Sequence, residues 1–295
     1  ASAIFIDAAA RLGASTGYIG VVGADEFGDC VLNRLREDGV DVSAAQVVPD
    51  HTTAVAFVCY FADGSRKFIY TLRESAASQL RPEMIDVAYV SQARYLHFTG
   101  SALSINAPAL EACYRAMNVV KEAGGRITLD PNLRPELLGL ERIREICDPI
   151  IDAAYAVFPS GAEAQMLTGA ATPEAACRAL LERGVQVVAL KQGEAGSTVY
   201  TADEVVSVPS FRVQEIDPTG AGDCYGAAFV VGLLRGWDLQ RIARYANAVG
   251  ALAVTTKGRL DGAPTEALVE ELLKSAYTNQ PPCVGVNDRF PHQSR

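Results

Sequence analysis

The chain has 295 residues, 49% of them apolar and 21% charged, and a net charge of -9. That balance fits a folded soluble protein built as one large domain with an accessory element, or as two domains. It argues against a broad nucleic-acid footprint, because no Lys/Arg run offsets the acidity, and no apolar run approaches the ~20 residues that a membrane span needs. The seven cysteines (Cys30, Cys59, Cys113, Cys147, Cys177, Cys224 and Cys283) are odd in number, widely spaced and without a C-x-x-C pair. Reduced thiols in a cytoplasmic protein are the expectation, not disulfides or a zinc site. Residues 1–12 lack the pattern of a signal peptide.

Taken in order, residues 1–12 read as a helix already under way, 17–22 as a short apolar strand and 27–37 as a helix. Two β-rich runs at 53–60 and 67–72 flank Asp63-Gly64, a hairpin signal. Residues 51–73 therefore read as a small antiparallel insertion in a larger α/β body spanning 1–50 and 74–277. From Arg94 onward, strands at 95–99, 127–130, 154–158 and 186–191 alternate with helices at 107–123, 140–147, 162–167 and 173–183. A hairpin at 197–208 follows, and helical runs at 222–234, 239–255 and 265–276 close the pattern. Alternation of this kind predicts an α/β fold with a mostly parallel sheet covered on both faces. Residues 278–295 carry prolines and no period, and are expected to be a disordered tail.

The most informative segment is Asp217-Pro218-Thr219-Gly220-Ala221-Gly222-Asp223, which opens the helical run at 222–234. Two glycines and an alanine leave backbone N–H groups accessible at a helix N-terminus, where the macrodipole favours anions. A carboxylate there is electrostatically awkward. Asp223 is either a general base that deprotonates a hydroxyl attacking a phosphoryl group, or a capping residue at an ordinary turn. Spacing alone leaves both open.

Four more segments fall into line with it: Val22-Gly23-Ala24-Asp25-Glu26-Phe27-Gly28, Asp130-Pro131-Asn132-Leu133-Arg134, Lys191-Gln192-Gly193-Glu194-Ala195-Gly196 and Ala246-Asn247-Ala248-Val249-Gly250-Ala251. In this order they resemble the ribokinase-like (PfkB) carbohydrate kinases from about residue 1 to 276. The resemblance implies a three-layer ribokinase-like core with a small antiparallel β-sheet lid, and the use of ATP and Mg²⁺. It implies that Asp223 is the catalytic base and that the amides of Gly220, Ala221 and Gly222 form the anion hole. It places Lys191, Gly193, Gly196 and Asn247 near the nucleotide, and Asp217 and Thr219 near a monovalent cation such as K⁺. Arg73 and Arg134 are candidates to meet the sugar. A homodimer paired through the lid is also implied.

Two departures accompany the resemblance. Relatives open with a strand bearing an acidic residue and a Gly-Gly turn ending in Asn, whereas this chain starts after or inside that region. On this resemblance Asp7 is expected near the usual Asn as a substrate ligand, and the sheet is expected to have one member fewer. The family's N-x-x-E motif, linked to Mg²⁺, reads Ser160-Gly161-Ala162-Glu163, with Glu163 kept. Residues 73–80 and 100–103, together with Asp130 to Arg134, look most like tagatose kinases and 2-keto-3-deoxygluconate kinases. The expected substrate is a ketohexose or a keto sugar acid. A non-catalytic sugar- or nucleotide-binding protein is the alternative.

Overall fold

The computed structural model describes residues 1–61, 66–133, 138–258, 260 and 262–278. The Asp63-Gly64 turn, Arg134 and the tail beyond 278 lie outside the described residues.

The chain opens with α1 (Ser2–Arg11), β1 (Gly20–Gly23), α2 (Glu26–Glu37) and β2 (Ala45–Val48), and β2 pairs in parallel with β1. β2 has no counterpart among the expected elements, because none of its residues is buried and no apolar period marks it. Next come β3 (Ala56–Tyr60) and β4 (Arg66–Tyr70), an antiparallel pair that forms its own two-stranded sheet. Phe57 faces Ile69 across this pair, and both are more than half exposed. Asp25 ties the hairpin's approach to α2. Its carboxylate caps the helix through the Gly28 N–H (2.8 Å) and accepts the Thr53 hydroxyl (2.6 Å) and N–H (2.7 Å). The Thr53 hydroxyl first, then the Thr53 and Gly28 amides, hold that carboxyl below its ordinary range.

The remaining helices of the first half are α3 (Val87–Val90), α4 (Gly100–Leu103), α5 (Ala107–Glu122) and α6 (Leu140–Ala153). They are interleaved with β5 (Tyr95–Thr99), β6 (Arg126–Asp130) and β7 (Ala154–Val157). Then follow α7 (Gly161–Thr168), α8 (Pro173–Glu182), β8 (Val187–Lys191), β9 (Ser197–Tyr200), β10 (Val205–Val208), α9 (Ala221–Leu234), α10 (Leu239–Ala253) and α11 (Glu266–Thr278). The main sheet has the order β10-β9-β8-β7-β6-β5, parallel from β5 to β8 and antiparallel from β8 to β10. The helix expected to stop near 147 continues through Pro149 to Ala153. Burial of Ile146, Ile150 and Ile151 on one stripe outweighs the lost amide.

Alternate residues of the central strands feed two cores. Val157, Val188 and Leu190 face α5, α6 and α8, whereas Ala156, Phe158, Val187 and Ala189 face α1, α9 and α10. Each fully buried Leu, Ile or Phe contributes on the order of 2 kcal/mol. The helix α9 is buried almost all round, from Asp223 to Gly232, which fixes its N-terminus against the sheet. β5 is an end strand, and a cavity of about 640 Å³ runs beside it, lined in part by Phe5, Tyr18, Tyr95 and His97.

Asp7 does not present itself to a cleft, contrary to its expected role as a substrate ligand. Its side chain on α1 is wholly buried, with Arg34 Nε 4.0 Å away. Burial, and then the Asp38 carboxylate beside it, push the Asp7 carboxyl up to about 7 against the opposing pull of Arg34 and Arg11. In the unfolded chain it ionises near its ordinary value of 3.8. Between these values the folded protein holds a proton that the unfolded chain has lost, so stability falls as pH rises through that window. Asp7→Asn removes the titration. It is expected to stabilise the protein by about 1–2 kcal/mol at pH 8 and by little at pH 4. Thermal unfolding at both pH values checks this, and an equal effect at both would contradict it.

Candidate active site

The C-terminal ends of the parallel strands meet along one edge of the sheet, the general location of ligand sites in open α/β folds. β6 ends at Asp130 and β8 at Lys191, while α7 and α9 start at that edge. Asp130 is 2% exposed. One oxygen accepts Lys191 Nζ at 2.6 Å, and the other accepts the Asn132 N–H at 3.2 Å. Asn132 has φ 39°, the one non-glycine residue with positive φ among the described residues. A short polar side chain tolerates that region better than most, and its retention marks a loop held by its surroundings. The surroundings are visible here. The Pro131 carbonyl lies against Gly100, where a Cβ would collide with it. Leu133 is buried in the core, and its N–H donates to Glu163 Oε1 at 3.0 Å.

Glu163 stands in the first turn of α7. The Ser160 N–H donates to its Oε2 (2.7 Å) and the Glu163 N–H returns to Ser160 Oγ (3.4 Å), a reciprocal cap. The serine that replaces the family's Asn thus serves the helix start. Burial opposes the charge of Glu163, but Lys191 and the Ser160 and Leu133 amides outweigh it and hold the carboxyl below its ordinary range.

At α9, Gly220 takes φ 93° and acts as N-cap. The preceding segment is pinned by the Ile216 and Asp217 N–H groups on the Val254 carbonyl (2.7 and 3.1 Å) and by the Thr219 N–H on Asp217 Oδ1 (3.0 Å). Amides in the first turn of a helix have no acceptor within it, and the macrodipole adds partial positive charge there. Asp223 lies in that turn and is 8% exposed. Among the described residues, Asp130 and Glu163 have their oxygens engaged, whereas no hydrogen bond engages the Asp223 carboxylate. Gly222 faces Lys191, and a Cβ built there would lie 3.3 Å from Nζ.

Four charges therefore share one edge. Burial lowers the affinity of Lys191 for its proton, but Asp130, Glu163 and Asp223 overcome it and raise its pKa. Burial pushes Asp130 up to about 6; the Lys191 ammonium opposes this, and Glu163 and Asp223 add to it. His97, on β5, is held neutral, pushed down to about 3 by burial and by Lys191.

The other expected residues have separate placements. Gly193 sits at φ 58° in the turn after β8, with open space where a side chain would be. Gly196 has φ 101° and passes tightly under the Val208 carbonyl. Asn247 is buried and donates to the carbonyls of Val208 (2.9 Å) and Pro209 (3.3 Å), so both residues secure the exit of β10. Arg73 is exposed in the loop after β4. Asp130 was missed as a site residue. Its only signal is an acidic residue closing an apolar strand before Pro-Asn.

A base-capable carboxylate beside helix-end amides and a buried ammonium is the equipment of a phosphoryl-transfer site. Residues 5–266 match the pfkB family carbohydrate kinases, and the chain belongs to that family. It is 34% identical to Fructokinase-1 of Zea mays over 278 residues, covering 91% of this chain and 86% of the relative. It is 32% identical to 2-dehydro-3-deoxygluconokinase of Bacillus subtilis over 273 residues, covering 91% and 84%. The fold superposes on an E. coli protein provisionally called ribokinase II, in complex with ATP and Mg²⁺. The TM-score is 0.88 and the identity 37%, covering 92% and 87%.

Proposed function

We propose that this carbohydrate kinase transfers the γ-phosphoryl group of ATP to a primary hydroxyl of a ketohexose, such as fructose or tagatose, or of the keto sugar acid 2-keto-3-deoxygluconate. The unengaged Asp223 carboxylate within the first turn of α9 carries this reading. Asp223 takes the proton of the sugar hydroxyl as its oxygen forms a bond to the γ-phosphorus. The bond to the bridging oxygen breaks and ADP leaves. The amides of Gly220, Ala221 and Gly222 offset the charge on the transferring group.

The nucleotide lies across the turn bearing Gly193 and Gly196 and toward Asn247 on α10; the open space at Gly193 supports this. The hairpin within residues 51–73 covers the sugar, and Arg73 or Arg134 supplies the cation that a sugar acid would need. When bound with ATP, Mg²⁺ would offset the negative charge of the phosphates. Glu163 fits it through water, since each of its oxygens carries one backbone N–H and keeps a lone pair. Asp217 and Thr219, at the pinned approach to α9, suit a monovalent cation such as K⁺. The exposed Phe57–Ile69 pair suits a second copy of the chain, and monomeric sedimentation would remove that partner. The six described cysteines are unpaired, which suits the cytoplasm. Among the described residues no helix is long and apolar enough to cross a membrane. The comparisons lend no support to a non-catalytic binder.

ADP release measured with fructose, tagatose, ribose and 2-keto-3-deoxygluconate tests the reading. A kcat/KM at least ~10-fold above the rest is expected for a ketohexose or the keto acid. No turnover with any sugar, in the presence of Mg²⁺ and K⁺, would refute it.

A further inference from the structure

The charge balance of the site gives Lys191 a task beyond general nucleotide contact. Three carboxylates, Asp130, Glu163 and Asp223, act on one ammonium that is itself 17% exposed. A phosphoryl anion arriving at the helix-end amides would meet net repulsion from those carboxylates unless a cation stood between. Lys191 Nζ occupies that place. It lies over the first turn of α9, with only the hydrogen of Gly222 to pass. An ammonium has three donors, and one of them goes to Asp130 Oδ2. Asp130 in turn is fixed by the Asn132 amide on its other oxygen and by burial. Neutral replacements of a buried ion pair often leave a fold no less stable, so the pair's presence calls for a purpose other than stability.

We propose that Lys191 is a catalytic cation of the anion hole, touching the transferring phosphoryl group, and that Asp130 is the positioning residue that holds its ammonium over Gly222. The inference rests on the kinase reading above. No new covalent step is involved. The ammonium stays protonated and offsets charge that the amides alone leave uncovered.

Lys191→Met is expected to lower kcat by roughly 10²–10³-fold while the KM values for ATP and sugar move only a few-fold. Because this variant strands Asp130 without its partner, the informative protein is Lys191→Met with Asp130→Asn. It should unfold near the wild-type temperature yet keep kcat within about threefold of Lys191→Met alone. Recovery of wild-type kcat in the double variant would mean that the pair is only structural, and would overturn the proposal. So would full turnover by Lys191→Met. Equilibrium binding gives an answer that needs no turnover. Aluminium fluoride should tighten ADP binding to the wild type, and Lys191→Met should remove that tightening while leaving ADP alone bound as before. If fluoride tightens ADP equally on both proteins, Lys191 does not meet the transferring group. Absence of turnover with every sugar would count against the kinase reading and leave this comparison to judge Lys191.

Discussion

Asp223→Asn is expected to cut turnover by about 10²–10⁴-fold, a barrier increase of roughly 3–5 kcal/mol, with ATP binding retained. The substitution is nearly isosteric, so the buried first turn of α9 keeps its packing, and a neutral amide near Lys191 removes charge without adding volume. The neighbouring carboxylates cannot easily take over. Asp130 is bonded to Lys191 and to the Asn132 amide, and Glu163 accepts the amides of Leu133 and Ser160. Asp223 is the carboxylate of the three with no such commitment among the described residues. Steady-state ADP release alongside calorimetric ATP binding makes the test. A variant that binds ATP and turns over at a tenth of the wild-type rate or better would move the base elsewhere.

Gly100→Ala is expected to lower stability by about 2–4 kcal/mol and turnover by at least ~10-fold. An added methyl group would collide with the Pro131 carbonyl, which is backbone and cannot swing aside like a side-chain end. Either the start of α4 or the loop from Asp130 to Leu133 must shift. That loop holds the Lys191 partner, the left-handed Asn132 and the amide donated to Glu163, so displacement reaches the charged cluster directly. Gly139→Ala is the control. Gly139 has φ -58° and no atom within 4 Å of a built Cβ, so a change under ~0.5 kcal/mol is expected. Thermal unfolding and ADP release of the two variants decide the matter. Wild-type values for Gly100→Ala would show that the close approach places no demand on the loop.

The alternation of strands and helices, the hairpin near residues 56–70 and the Gly220–Asp223 turn are all legible in the amino-acid order. Each is written in local periodicity or in turn chemistry over a few neighbouring residues, and α9 follows from an apolar run that must be buried on every side. Which charges meet depends on how the strands are brought together. Asp130 and Lys191 lie 61 residues apart, and they touch because β6 and β8 flank β7 in parallel and end at the same edge. No local pattern encodes that register. The same holds for Gly100, whose need to be glycine comes from the Pro131 carbonyl across the neighbouring strand end, where Thr99 pairs with Asp130. Asp7 reverses the expectation for a similar reason. Its position on a helix was legible, but the packing of α1 near α2 placed Arg34 and Asp38 beside it and sealed it from any cleft. β2 stayed hidden because a strand with neither face buried carries no hydrophobic period to read.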